Sequence, residues 1–366
     1  MELFIGLMFW SIVCAAIFLI KKSIKFKKVV YIILVYIPLI LISGLRNWNV
    51  GTDTILFHKW YAATANVDIL DFGWYYNLLE GLDLEWGFVW IGYLFNIFDL
   101  DAQVMIFVYS TITVLGMAYA FYKYSTSLWL STFLYIALFS YAESLNIAKQ
   151  SVATMIMLNA FGYLQNDYKF KYFKMIVLSM VFHFSSIVYG LILLLMPIKF
   201  KKSICLLIFF CIIGFLGWNF ILIFAETFSI KYIAYFDTDY IMARSLGPGI
   251  IQILGIIICL IISYFLYKKK KFNLKEEKEV VICSIFMIAL ILIIYFQYAI
   301  NIIYRFTPYA FVYLYILIPL IINKMTETSL VIKFIIYSAV IIAGFIYCMI
   351  CINLGWHEII PYSFCF

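Results

Sequence analysis

The 366 residues carry a net charge of +7, yet only 12% are charged while 66% are hydrophobic and 20% aromatic, and the mean hydropathy is +1.04. A soluble domain carries about 25% charged residues, so a soluble globular protein is excluded. Apolar runs of roughly 20 residues, long enough to cross a bilayer as helices, recur from end to end, and the chain reads as an all-α, polytopic transmembrane helical bundle. The positive charge sits in lysine clusters at the ends of those runs, where it carries topology, and no nucleic-acid partner is implied.

In chain order, the first run (2–20) has Glu2 before it and Lys21, Lys22, Lys25, Lys27 and Lys28 after it, the reverse of a secretory signal peptide. It is expected to stay as a first span with its N-terminus outside. Further segments are expected at 29–44, 86–98, 103–122, 127–142, 146–165, 175–197, 203–223, 250–267, 280–300, 302–322 and 329–352, giving one integral membrane domain over 1–366 with about 10–12 membrane segments. The polar interruptions 45–85 and 224–249 are expected as outer-face loops, and 268–279, with Lys268 to Lys271, Lys275 and Lys278, as a basic cytoplasmic connector.

Plain alternation of twelve crossings strands Lys169, Lys171 and Lys174 on the wrong side of the positive-inside rule. Segment 86–98 has 13 residues, short for a crossing, and 175–197 is interrupted by His183, Ser185 and Ser186. Reading both as re-entrant restores the charge bias and places Arg46, Lys149 and Arg305 on the outer side. All eight cysteines lie in or beside apolar runs, so they read as buried small residues, with neither a zinc site nor a disulfide framework.

Five short constellations carry chemistry. Gly44-Leu45-Arg46-Asn47-Trp48-Asn49-Val50-Gly51-Thr52-Asp53-Thr54 ends a span with an arginine, a turn glycine and an acid. The plain alternative is Arg46 snorkelling to the interface and Asp53 capping a helix. Glu85, heading Glu85-Trp86-Gly87-Phe88, is either a helix-start charge or a site acid. Asn146, Lys149 and Gln150 stand at i, i+3 and i+4, a spacing that puts three polar groups on one helix face. In Phe182-His183-Phe184-Ser185, an imidazole and a hydroxyl inside an apolar run each need a partner. Late in the chain, Asn301, Arg305 and Tyr309 follow at i, i+4 and i+8 beside Pro308, and an intramembrane arginine is a functional candidate by default.

Together these place three cations (Arg46, Lys149, Arg305), two acids (Asp53, Glu85) and His183 on one face of a bundle, a set that suits an anionic, lipid-linked substrate, since arginine's fork matches phosphate oxygens and lysine adds a point charge. No Walker loop, His-Glu-x-x-His, metal-spaced acid cluster or Gly-x-Ser-x-Gly elbow occurs, so neither metal nor cofactor is implied. The ordered blocks Arg-x-x-x-x-Gly-Thr-Asp-Thr, Glu-x-Gly-Phe, Ser-Leu-Asn-x-x-Lys-Gln, Phe-His-x-Ser and Arg-x-x-x-Tyr, spanning residues 46 to 309, resemble the EpsG family of bacterial polysaccharide-biosynthesis membrane proteins. That family is similar to Wzy-type O-antigen and capsule repeat-unit polymerases, and the likeness implies a GT-C-like fold. The family usually has Arg-Gln where this chain has Lys149-Gln150, and Ser-Ala where it has Ser185-Ser186. Lysine lacks the bidentate contact.

The resemblance implies glycosyl transfer between undecaprenyl-diphosphate-linked oligosaccharides on the outer face of the bacterial cytoplasmic membrane, with a flippase and a chain-length regulator as companions. Arg46, Lys149 and Arg305 would then hold the diphosphate and stabilise the departing charge. Gly51, Asn146, Gln150, Ser185 and Tyr309 would complete the substrate-binding set, and the base would be Asp53 or Glu85 first and His183 second. Aromatic residues of 45–90 (Trp48, Trp60, Trp74, Tyr75, Tyr76, Trp86, Trp90) would stack on sugars or form an interfacial belt. Two other classes stay open: a flippase for lipid-linked glycan, and another transferase such as a glycan ligase or an acyltransferase. The last favours a histidine with an adjacent acid, and no acid neighbours His183 in sequence.

Overall fold

The computed structural model describes residues 2–20, 26–66, 84–195, 246–297, 301–325, 327 and 329–366. Among them the structure is all-α, with an isolated antiparallel bridge between Arg46 and Phe364. Five of the described helices are long and apolar enough to cross a membrane, Lys27–Gly44, Ala102–Tyr124, Gly249–Lys268, Leu274–Phe296 and Leu330–Asn353, and counting each of two bent pairs as one span gives up to seven among the described residues. The span expected at 203–223, most of the 224–249 loop, and Trp74, Tyr75 and Tyr76 lie outside the described residues. The chain forms two compact units, Met1–Gly190 with Ser329–Phe366, and Leu191–Thr328.

The first unit runs through α1 (Glu2–Ile20), α2 (Lys27–Gly44), α3 (Thr54–Ala63), α4 (Trp86–Ile97), α5 (Ala102–Tyr124), α6 (Leu128–Ala137), α7 (Ser140–Asn146), α8 (Ala148–Asn159), α9 (Phe161–Gln165) and α10 (Lys169–Phe182). A 3-10 turn (Phe184–Tyr189) follows, then α11 (Gly190–Leu195), at whose first residue the unit ends. α5 packs on α2 and α8, α8 packs on α10, and α1 lies against α2 and α6. Lipid tails are as apolar as leucine, so such helices are held by close packing and by polar bonds between helices. Tyr36 Oη and Thr132 Oγ1 meet at 2.8 Å, Tyr141 Oη donates to the Leu39 carbonyl at 2.7 Å, and Asn159 Nδ2 donates to the Gly116 carbonyl at 3.0 Å. The opposite face of α2 exposes Ile33, Ile37 and Leu41, as a lipid-facing surface requires.

Several of the expected runs are broken, at apolar as well as at polar residues. α6 stops before Phe139, which sits at φ 69, and α7 turns away by 57°. Ile147 then separates α7 from α8. The run expected over 175–197 ends as an α-helix at Phe182, and His183 is extended (φ −157, ψ 110) before the 3-10 turn. α4 has 12 residues, fewer than a crossing needs.

In the second unit α12 (Leu246–Lys268) pairs with α13 (Leu274–Phe296), which also packs on α14 (Thr307–Phe311) and α15 (Leu314–Met325). The basic connector is shorter than 268–279, because Asn273 caps α13: Asn273 Oδ1 accepts from the Glu276 N–H and Glu276 Oε2 from the Asn273 N–H, both at 2.9 Å. Lys324 binds Glu276 and Glu327, each at 3.1 Å. Residues Asn301–Phe306 form a 3-10 turn rather than the first turns of one long helix, so Arg305 and Tyr309 do not follow uniform α spacing. α16 (Leu330–Asn353) returns to the first unit against α6, and a 3-10 turn (Trp356–Glu358) leads into the C-terminal residues.

Candidate functional site

Glu85 is the N-cap residue of α4, yet its carboxylate makes no cap bond. It turns instead to two bases from other helices. Lys149 Nζ, in the first turn of α8, lies 2.6 Å from Glu85 Oε2, and His183 donates Nδ1–H to Glu85 Oε1 from the end of α10. The approach of α10 to α4 depends on Gly87, where a Cβ would sit 2.9 Å from the Val181 carbonyl oxygen and 3.1 Å from the Phe182 ring. Lys149 also lies over the Trp60 ring, 4.2 Å from its centroid, a cation–π contact. Phe88 fills the floor, edge-on to Phe57 at 5.0 Å and to Trp60 at 5.9 Å. Burial pushes the Glu85 carboxyl up, but the His183 hydrogen bond and the Lys149 charge outweigh it and hold the pKa below its ordinary value. The carboxylate is therefore charged at neutral pH, and the Glu85 and Lys149 side chains are about one-eighth and one-ninth exposed (13% and 11%), while His183 is 23% exposed.

A second cluster lies on the 46–54 segment. Arg46, expected as an open cation, is 1% exposed. Its Nη1 donates to the Ser43 carbonyl and to Ser110 Oγ at 3.1 Å, and its Nε to Thr54 Oγ1 at 3.4 Å. Burial pulls its pKa down to about 10, and it stays protonated at neutral pH. Thr54 Oγ1 donates on to the Val50 carbonyl at 2.6 Å, so the guanidinium organises the turn from beneath. Gly51 has φ +87, a conformation L side chains rarely adopt, and its Cβ position is 3.1 Å from Asn146 Oδ1. Asp53 precedes α3 but its side chain makes no cap bond; its Oδ1 lies 3.3 Å from Thr52 Oγ1.

The expectation that Asn146, Lys149 and Gln150 share a helix face is corrected by the break at Ile147. Asn146 ends α7 and faces the 51–53 turn: its Oδ1 accepts from the Asp53 N–H at 2.7 Å and from Thr52 Oγ1 at 3.1 Å. Lys149 faces Glu85, and Gln150 is buried. Ser185 is half-buried, whereas Ser186 is fully buried with its Oγ 2.8 Å from Ser179 Oγ. Arg305, which is exposed, and Tyr309, which is buried, belong to the second unit.

Sequence reasoning missed three contributors. His357 lies 3.2 Å from Asn146 through Nδ1 and 3.6 Å from Glu143 through Nε2, and Ser110 receives Arg46. No local pattern marks them, since each acts on a residue far along the chain. Among the described residues no group of three His, Cys, Asp or Glu is placed to hold a metal.

The fold and the site define a multi-pass α-helical membrane protein whose polar centre sets one carboxylate between an ammonium and an imidazole, an arrangement suited to moving a proton next to an anion. The family model for the EpsG family matches residues 29–364, and the chain belongs to that family of polysaccharide-biosynthesis membrane proteins. Neither the comparison with curated proteins nor that with solved structures finds a match.

Proposed function

We propose that the protein is a polysaccharide repeat-unit polymerase: a membrane glycosyltransferase that moves a glycan from an undecaprenyl-diphosphate donor to a sugar hydroxyl of a second lipid-linked unit, on the outer face of the cytoplasmic membrane. The observation that carries this reading is the Glu85 carboxylate bridging Lys149 Nζ and His183 Nδ1. Because Nδ1–H is held by Glu85, His183 presents Nε2 as the basic nitrogen. The acceptor hydroxyl gives its proton to Nε2 as its oxygen forms the new bond to the anomeric carbon, and Glu85 stabilises the imidazolium. The bond between that carbon and the diphosphate oxygen breaks, and the charge left on the leaving oxygen attracts Lys149, which exchanges Glu85 for phosphate. His183 thus takes the role of base and Glu85 that of its orienting acid, while Asp53, on the neighbouring turn, is the remaining carboxylate for a sugar hydroxyl. The exposed Arg305 is an anion contact of the second unit. A flippase and a chain-length regulator of the same pathway are the expected companions.

The His183–Glu85 pair also suits acyl transfer, whose histidine needs an acid beside it. Deletion of the gene, restored with the parent sequence or with His183→Gln, separates the readings through the length of the lipid-linked glycan. A polymerase leaves single repeat units outside the membrane. Units trapped inside indicate a flippase, full-length polymer still on its carrier a ligase, and full-length polymer lacking acyl groups an acyltransferase.

A further inference from the structure

The C-terminal residues straddle the 42–51 segment. The Cys365 N–H donates to the Leu45 carbonyl at 2.9 Å, the Asn47 N–H to the Ser363 carbonyl at 2.9 Å, the Gly51 N–H to the Glu358 carbonyl at 3.1 Å, and Tyr362 Oη to the Ile42 carbonyl. Within this strap His357 and Glu358 take φ values of 62 and 50, in the left-handed region that non-glycine residues avoid. Backbone held there needs something to hold it, and the His357 ring faces α7 with both nitrogens, Nδ1 hydrogen-bonded to Asn146 at 3.2 Å and Nε2 3.6 Å from the Glu143 carboxylate.

The direction of each bond follows from groups that have no choice. The Asp53 N–H is an obligatory donor, so the Asn146 atom 2.7 Å from it is the oxygen. The Asn146 NH2 therefore faces His357, and Nδ1 at 3.2 Å must accept. The imidazole proton is then on Nε2, directed at Glu143 Oε1 3.6 Å away. The Glu143 charge 3.6 Å from Nε2 favours that tautomer, Nδ1 then accepts from the Asn146 NH2, and the amide oxygen is left to hold both Thr52 and Asp53.

We propose that Glu143, His357 and Asn146 form a positioning relay through which the C-terminal strap sets the Thr52–Asp53 turn beside the Glu85 cluster, with His357 as its decisive residue. In this relay all three act through the turn, as positioning residues. The relay stands on geometry alone, and only the purpose of the turn rests on the polymerase reading.

Hydrogen–deuterium exchange on the purified full-length protein in lipid nanodiscs, read on the peptide containing Asp53, tests the relay without reference to activity. His357→Phe fills the space but offers no acceptor, and the Asp53 amide is expected to exchange about three- to tenfold faster, the loss of roughly one net hydrogen bond. His357→Asn restores an acceptor and tolerates a positive φ, so exchange is expected to return to the parent rate, a rescue that space-filling by the ring cannot produce. Parent-rate exchange in His357→Phe overturns the relay, and so does fast exchange in His357→Asn with an unchanged melting temperature. The same variants are scored for glycan length in cells. A loosened turn with normal polymer leaves the relay standing and sinks the use assigned to the turn, whereas a tight turn with lost polymer does the reverse.

Discussion

Arg46 and Lys149 are both cations that the sequence offers for an anionic substrate, and the fold treats them in opposite ways. Arg46 is buried with no acid partner among the described residues, its fork divided among a carbonyl and two hydroxyls. Lys149 keeps a carboxylate, a tryptophan face and some solvent. A guanidinium that satisfies neutral oxygens in the interior is committed to holding the chain in place, because withdrawing it would strand those oxygens. An ammonium paired with one carboxylate at a partly open site can trade that carboxylate for a phosphate, since it gives up one anion for another. Charge type alone does not assign the role; the partners do.

Four substitutions break or sharpen this contrast. His183→Gln strikes the open cluster hardest: loss of a positioned general base costs about 10²–10⁴-fold in rate, read as polymer formed by membranes containing equal amounts of protein, with a melting temperature near that of the parent. Arg46→Ala strikes the closed cluster and is expected to cost about 3 kcal/mol of stability, since it strips a charged donor from Ser43, Ser110 and Thr54. It should appear as a lowered melting temperature and reduced protein in the membrane, and an Arg46→Ala protein as stable as its parent would place the guanidinium with substrate after all. Gly51→Ala combines a positive φ with the nearby Asn146 oxygen and should cost about 1–2 kcal/mol, loosening the turn while the Glu85 pairing persists. The smallest effect is expected for Trp60→Leu, about 0.5–1 kcal/mol through the lost cation–π contact, with a weaker hold on Lys149.

The open cluster also predicts an acid response. The Glu85 pKa is lower in the folded chain than the ordinary value of 4.5, so its pairing stabilises the fold above that value and the contribution is lost as pH falls through the lowered folded value. Glu85→Gln should flatten the pH dependence of the melting temperature in that window and lower the melting temperature above it, where the parent keeps the pairing. A parent and variant with parallel curves below pH 4.5 would show that the pairing adds nothing to stability.

Helix 27–44 is expected at 29–44 and helix 102–124 at 103–122, because lipid imposes a length and an apolar composition that each segment satisfies by itself. The break in 175–197 is legible for the same reason, as His183 and its serines interrupt the apolar run. The shared face of Asn146, Lys149 and Gln150 was a periodicity argument, and it fails because one residue, Ile147, leaves the helix and sends Asn146 and Lys149 to different partners. His183 carries no acid nearby in sequence, and Glu85, 98 positions away, reaches it only because Gly87 lets α4 touch α10.

The sequence by itself determined that this is a multi-pass helical membrane protein of the EpsG family and which polar residues are too costly to keep in apolar runs without a use. Those properties are local: hydropathy, span length and short ordered motifs need no knowledge of what packs against what. Tertiary structure alone decided that Glu85 lies between Lys149 and His183, that Arg46 faces inward, and that His357 reaches Asn146. Each of these depends on contacts between segments tens to hundreds of residues apart, where helix breaks and, at the Glu85 cluster, the close approach at Gly87 set the distances that residue type cannot encode.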